Sequence, residues 1–160
     1  MLKIYFAGPM FVPYERAYIA ECAARLRAEG FEVFVPHEQV NKRPAEENQR
    51  FMAMDEISKA VYVYDTDFAG LQWANVVVAL LDGTQVDDGT ATEIGIFAEM
   101  IRSNPGEKKV IFGFATDMRV FSDEFKGEGK GLNYFTVGTI YKYGTVCKSF
   151  DEVVARLKGL

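Results

Sequence analysis

The chain has 160 residues, 49% of them hydrophobic and 26% charged, with a formal net charge of −5. That length and composition suit one soluble globular domain with a substantial core. The acidic balance, with no basic face or run of Lys and Arg, excludes nucleic acid as an expected partner and favours a small, neutral or cationic substrate.

Cys22 and Cys147 lie far apart in apolar-rich segments and form neither a CxxC nor a metal spacing. They read as buried free thiols, which fits a reducing compartment. No apolar run approaches the roughly 20 residues needed to span a bilayer. The opening segment from Met1 to Gly8 is too short for a signal peptide. A cytoplasmic protein without a membrane partner is expected.

In chain order, Leu2 to Ala7 is an apolar run that ends at Gly8-Pro9 and reads as a buried strand followed by a loop. Tyr14 to Glu29 carries Tyr18, Cys22 and Leu26 at helical spacing, with Gly30 as its stop. Phe31 to Val35 reads as a second strand, ended by Pro36. The polar stretch from His37 to Glu47 is expected to be a loop of functional length. Asn48 to about Asp65 then reads as one long helix, ended by Asp65-Thr66-Asp67-Phe68-Ala69-Gly70. Asn75 to Leu81 is the third strand and Thr90 to Ile101 the helix after it. Ser103-Asn104-Pro105-Gly106 breaks the chain before a fourth strand, Val110 to Phe114. Asp117 to Gly131 is polar and glycine-rich, expected as a surface excursion. Leu132 to Phe135 reads as a short helix with Asn133 at its start. Thr139 to Tyr143 and Val146 suggest strand five. Ser149 caps a last helix, Phe150 to Leu157, with Glu152 completing a capping box.

Strands alternating with helices predict an α/β fold, with a parallel sheet covered on both faces. Right-handed crossovers leave few topologies. The expectation is a flavodoxin-like, doubly wound, five-stranded parallel sheet of order 2-1-3-4-5. In such sheets a ligand lies at the carboxyl ends of the strands, where the order reverses. The loops after strands one and three would then face one pocket.

The stretch Val86-Asp87-Asp88-Gly89-Thr90-Ala91-Thr92-Glu93-Ile94-Gly95 joins strand three to its helix. Gly89 permits a tight turn, and Asp88 or Thr90 is expected to cap the helix. Glu93 falls in the first turns, where the helix dipole favours an ionised carboxylate. A charged carboxylate at that place suits a nucleophile attacking a sugar carbon, so transfer or hydrolysis of an N-glycosidic bond is the working hypothesis. Asp65, Asp67, Asp82, Asp87 and Asp88 lie near that strand and its loops. Clustered carboxylates raise one another's pKa, which would keep one of them protonated as an acid. The plainer reading is that Asp and Glu decorate most loops and helix starts.

Tyr5 could hold a carboxylate through its hydroxyl, although most strand tyrosines are simply core. Gly8-Pro9 either brings backbone close to a ligand or makes a turn. Neither GxGxxG nor GxxxxGK[ST] occurs, which argues against dinucleotides and ATP. His37, the only histidine, reads as a loop residue and cannot make a metal site alone. Trp73 and the phenylalanines read as core or subunit contact, with a few able to stack on a planar base. No cofactor and no metal are expected.

Four landmarks in order resemble the nucleoside 2-deoxyribosyltransferase family over nearly the whole chain. They are Lys3-Ile4-Tyr5-Phe6-Ala7-Gly8-Pro9, Asp65-Thr66-Asp67-Phe68-Ala69-Gly70-Leu71, Asp87 through Gly95, and Leu132-Asn133-Tyr134. The resemblance implies a pentosyltransferase that moves 2-deoxyribose between nucleobases in nucleoside salvage. Glu93 matches the nucleophile that forms a covalent deoxyribosyl–enzyme intermediate, and Tyr5 the tyrosine that orients it. Asp67 matches the acid on the base side. Asp87 matches a second aspartate, near the sugar hydroxyls. Phe11 falls where the family has an aromatic beside the base, and Gln39 near a glutamine of some members. Gly8 and Gly89 belong to the binding loops. Asn133 matches an asparagine that binds sugar in a neighbouring subunit's site, so a homo-oligomer with shared active sites is implied. The implied partners are a 2′-deoxynucleoside and a free nucleobase. The chain departs from some members in two places: Met10 stands where they carry tryptophan, and the chain ends in Leu160 rather than tyrosine.

Two other readings share the scaffold. One is an N-glycoside hydrolase of deoxynucleosides or their 5′-monophosphates. Asp87 would repel the phosphate dianion of the latter. The other is a non-catalytic nucleotide-binding module, which leaves Tyr5, Asp67, Asp87 and Glu93 without a reason to coexist.

Overall fold

The computed structural model of the protein describes residues 1–117 and 132–160. Five strands form one sheet: β1 (Lys3–Ala7), β2 (Glu32–Phe34), β3 (Val76–Leu80), β4 (Val110–Phe114) and β5 (Gly144–Cys147). Their spatial order is β2-β1-β3-β4-β5. Every neighbouring pair is parallel, with Tyr5 opposite Phe34 on one side and Val77 on the other. The predicted topology is the observed one. The order reverses between β1 and β3, so the loops after those two strands open onto one crevice.

Side chains alternate across the sheet with a period of two, and two cores result. On one face Ile4, Phe6, Val76 and Val78 pack against α1 (Pro13–Ala28) and α7 (Phe150–Leu157). On the other, Tyr5, Ala7, Val77 and Ala79 pack against α4 (Glu56–Trp73), α5 (Asp88–Ser103) and α6 (Tyr134–Tyr143). All five residues of β3 are buried, as expected of a central parallel strand covered on both faces. Full burial of each large apolar side chain there contributes about 1.5–3 kcal/mol.

Several local expectations are corrected. The segment after Pro36 is not a loop. It folds as α2 (Pro36–Lys42) and α3 (Ala45–Ala53). Pro36 sits at the first helical position, where its fixed φ starts a helix and its missing N–H costs nothing. Pro44 separates the two short helices. The single helix expected from Asn48 is in fact α3 and α4, divided at Met54-Asp55. Asp55 caps α4, accepting from Ser58 N at 2.8 Å and Ser58 Oγ at 2.9 Å. The Asp65–Gly70 stretch does not end that helix but lies inside it. Leu71 and Gly70 are its buried face, and the chain stays helical to Trp73. Gly70 packs so closely on β2 that an added Cβ would stand 2.8 Å from the Phe34 ring.

The helix after β3 is capped by Asp87, not by Asp88 or Thr90. Asp87 Oδ2 accepts from Thr90 N at 2.9 Å and from Thr90 Oγ1 at 3.0 Å. Residues 139–143, expected as strand, are the end of α6. The β-branched bias there is overridden by Asn133, whose Oδ1 accepts from Phe135 N and Thr136 N, and by Val137 and Ile140 buried at helical spacing. The expected excursion from Asp117 to Gly131 lies, after Asp117, outside the described residues. Among the described residues no helix is long and apolar enough to cross a membrane, and both cysteines are free and buried.

The passage from α6 to β5 depends on Gly144. An added Cβ would meet the Ile111 carbonyl oxygen at 1.8 Å, and a backbone atom in a central strand cannot move aside. Gly144→Ala is expected to lower the unfolding free energy by about 2–3 kcal/mol or more. Gly138→Ala, in open space on the same helix, should be neutral or stabilising by up to about 1 kcal/mol. Urea unfolding of both variants checks the pair.

Candidate active site

The centre of the site is a hydrogen bond between two elements far apart in sequence. Tyr5 Oη, from the middle of β1, donates to Glu93 Oε1, on α5, at 2.6 Å. Tyr5 is fully buried, and its ring stacks on Phe34 with centroids 5.2 Å apart. Burial first, and then the neighbouring Glu93 and Asp67 carboxyls, push the phenol far above its ordinary pKa. It therefore remains protonated and acts only as a donor to Glu93.

Glu93 faces a cleft of about 340 Å³ with Asp67, Asp88, Gly89 and Thr92. Its spacing from Gly89 and Ile96 puts all three on one face of α5. Across the cleft, Tyr64, Asp67, Phe68 and Leu71 form the matching face of α4. The position of Asp67 thus follows from α4 running past the stretch expected to end it.

The charge state of Glu93 differs from the expectation. Burial pushes its carboxyl up to about 8, with the Asp67 and Asp87 carboxylates adding to the rise and the Tyr5 hydroxyl opposing it. Glu93 is the sixth residue of α5, beyond the first turn in which the helix dipole acts, so desolvation wins. Asp67 is likewise pushed up by burial, to about 6, with Arg43 opposing. Both carboxyls therefore have their charged forms disfavoured by burial, and the Asp67 charge adds to the rise at Glu93.

The remaining expected site residues divide into three groups. Gly89 lines the cleft, and an added Cβ there would stand 3.1 Å from Asp87 Oδ2. Asp87, half-buried, uses Oδ2 as the helix cap. Phe11 and Gln39 line a second cleft, of about 440 Å³, which meets the first at Asp67. Gln39 Nε2 donates to Val35 O at 3.0 Å. Gly8 is buried, and a Cβ there would stand 3.0 Å from Ile19 Cδ1 and 3.1 Å from Leu80 Cβ, so it lets α1 close on the sheet. Asn133 lines neither cleft. It is exposed at the start of α6, beside Tyr134 and Phe135, which are 60% and 86% exposed.

Three residues passed over in the sequence belong to this region. Phe34 supports the Tyr5 ring. His37 and Arg43 line the second cleft. The spacing of Pro36, with Gln39 and Val40 three and four residues on, was the available signal that this polar stretch is helical.

A family model described as nucleoside 2-deoxyribosyltransferase matches residues 4–154. No curated protein matches the chain. Among solved structures, a conserved protein from Enterococcus faecalis V583 is 25% identical with a TM-score of 0.72, covering 99% of this chain and 98% of its own. A 2-deoxyribosyltransferase from the psychrotolerant bacterium Bacillus psychrosaccharolyticus is 18% identical with a TM-score of 0.64, covering 94% of this chain and 88% of its own. At that identity the second likeness concerns the fold.

The raised Glu93 pKa has a consequence for stability. The native state holds a proton that the unfolded chain has released between about pH 4.5 and 8, so stability is fully present below that window and lost as pH rises through it. Glu93→Gln keeps the shape without the charge. It is expected to be more stable than the native protein at pH 8–9 by on the order of a few kcal/mol. The difference should shrink toward zero near pH 4.5 in denaturant unfolding at a series of pH values.

Proposed function

The chain belongs to the nucleoside 2-deoxyribosyltransferase family, and from that premise we propose that it moves 2-deoxyribose from one nucleobase to another through a deoxyribosyl ester of Glu93. The observation that carries this reading is the Tyr5–Glu93 hydrogen bond, at the wall of a cleft that also holds Asp67, whose carboxyl burial pushes up to about 6.

In the proposed reaction, a Glu93 carboxylate oxygen attacks C1′ and forms the C1′–O bond. The C1′–N bond breaks, and its electron pair leaves on the base nitrogen. The Asp67 carboxyl gives its proton to the departing base and becomes a carboxylate. A second base then attacks C1′ from the side vacated by the first. Its N–H proton passes to Asp67, and the C1′–O bond returns its electrons to Glu93. Two inversions retain the configuration, and the kinetics are ping-pong.

Desolvation of Glu93 serves this chemistry. The transition state places positive charge on the sugar, next to a carboxylate that water no longer stabilises. Tyr5 binds Oε1 and so leaves Oε2 to attack C1′. On this reading Asp87 and Gly89 bind the sugar hydroxyls, and Phe11 and Gln39 the base. Asn133, whose Nδ2 makes no hydrogen bond among the described residues, would complete the pocket of a neighbouring subunit in a homo-oligomer.

Incubation with a 2′-deoxynucleoside and no acceptor base should leave a deoxyribosyl adduct on the peptide containing Glu93. Base exchange in Glu93→Gln should fall by roughly a thousandfold or more. Mass spectra with no adduct during rapid exchange would falsify the covalent route. The pH profile is a separate test. The working state has Glu93 ionised and Asp67 protonated, one proton on the pair, so kcat/KM should be bell-shaped with limbs near 6 and 8. In Asp67→Asn the alkaline limb should vanish, leaving a single rise governed by Glu93.

A further inference from the structure

The second cleft holds polar groups with no assigned task. Arg43 follows α2, with its guanidinium carbon 4.1 Å from the Phe51 ring centroid and 4.8 Å from that of Tyr62. Those rings come from α3 and α4 and lie 5.3 Å apart, and the guanidinium stacks on both while its charge also acts on Asp67. The Tyr62 hydroxyl donates to Glu47 Oε1. Arg43 makes no hydrogen bond or ion pair among the described residues, and its Nη1 is buried without a partner, as is His37 Nδ1. Both residues line the cleft, with Arg16 and Gln39. Arg16 Nη1 is occupied by Met10 O at 2.7 Å.

A guanidinium only donates, and a buried donor left unmatched is costly. The cleft is therefore built for a group rich in acceptors. Its place relative to the reacting atoms follows from Asp67. If C1′ sits at Glu93 and the glycosidic nitrogen at Asp67, the far edge of the base extends beyond Asp67, into this cleft.

We propose that the second cleft selects nucleobases presenting a carbonyl on the edge remote from the glycosidic nitrogen over those presenting an amino group, with Arg43 as donor to that carbonyl. The inference rests on the base-transfer reading above. An amino group would aim its hydrogens at a guanidinium that has no lone pair.

The test compares kcat/KM for 2′-deoxyinosine against 2′-deoxyadenosine and for 2′-deoxyuridine against 2′-deoxycytidine. It uses the native protein, Arg43→Met and Arg43→Lys. In each pair that reacts, the carbonyl-bearing member should be favoured by roughly ten- to a hundredfold. The preference should collapse to within about threefold of unity in Arg43→Met, and fall part of the way in Arg43→Lys, which donates but lacks the planar fork. Equal rates within the pairs in the native protein, or a preference unchanged in both variants, overturns the proposal. Should Arg43→Met fail to fold, the native ratios and Arg43→Lys decide.

Equilibrium dialysis of hypoxanthine and adenine gives a reading free of turnover. Tighter, Arg43-dependent binding of hypoxanthine without any base exchange would keep the cleft assignment and remove the transfer reading. Exchange of every base without an Arg43-dependent preference would do the reverse. Dependence on Arg43 that appears only with 5′-monophosphates, whatever the base, would mean that the cleft holds a phosphate, and the proposal fails.

Discussion

A carboxyl group withdrawn from water and bound to a phenol that cannot ionise is the constraint on which the site depends. Tyr5 and Glu93 are 88 positions apart and meet at 2.6 Å. Only the topology makes that possible. β1 and β3 are neighbours in the sheet, so the helix following β3 lies over the face from which Tyr5 projects. Burial of the phenol and burial of the carboxyl are one event, and neither would be tolerated without the other. The fold thus supplies the environment of the group as well as its place.

The same withdrawal from solvent sets the electrostatics. Glu93 and Asp67 are both pushed above the ordinary carboxyl range, mainly by burial. Glu93 holds its proton more tightly than Asp67 does, the reverse of the order that the proposed transfer would ask for. In the proposed transfer the working state would then be the minority arrangement of one proton on the pair. A bound sugar that develops positive charge would favour the ionised Glu93 and so shift that balance at the moment of reaction. Stability is given up at the site for this readiness, as is common where activity needs a strained or desolvated group.

The architecture was legible because its signals were strong. β3 is an unbroken apolar run, β1 and β4 are bounded by turn residues, and alternation of strand and helix leaves little choice of topology. The two side chains that the structure brings together were legible by motif: Tyr5 before Gly8-Pro9, and Glu93 after Asp87-Asp88-Gly89. What was misjudged shares one cause. At residues 36–53, 65–70 and 139–143, local composition pointed one way and tertiary contacts decided otherwise. Pro36 and Pro44 begin and divide helices where polar residues suggested a loop. Gly70 is a contact with Phe34, although a glycine near aspartates reads as a stop. The valine, isoleucine and tyrosines of α6 favour strand by propensity but are helical because Asn133 caps them and the sheet buries every third or fourth one. The charge on Glu93 was misjudged for a related reason: the helix dipole is visible in sequence, and the depth of burial is not.

The Phe34 ring lies between Gly70, on the helix that carries Asp67, and the ring of Tyr5, on the strand that positions Glu93. No methyl group fits at residue 70 unless that ring shifts. The helix that carries Asp67 and the tyrosine bound to Glu93 thus rest on the two sides of one aromatic ring. A side chain at residue 70 would therefore press, through that ring, on the tyrosine bound to Glu93.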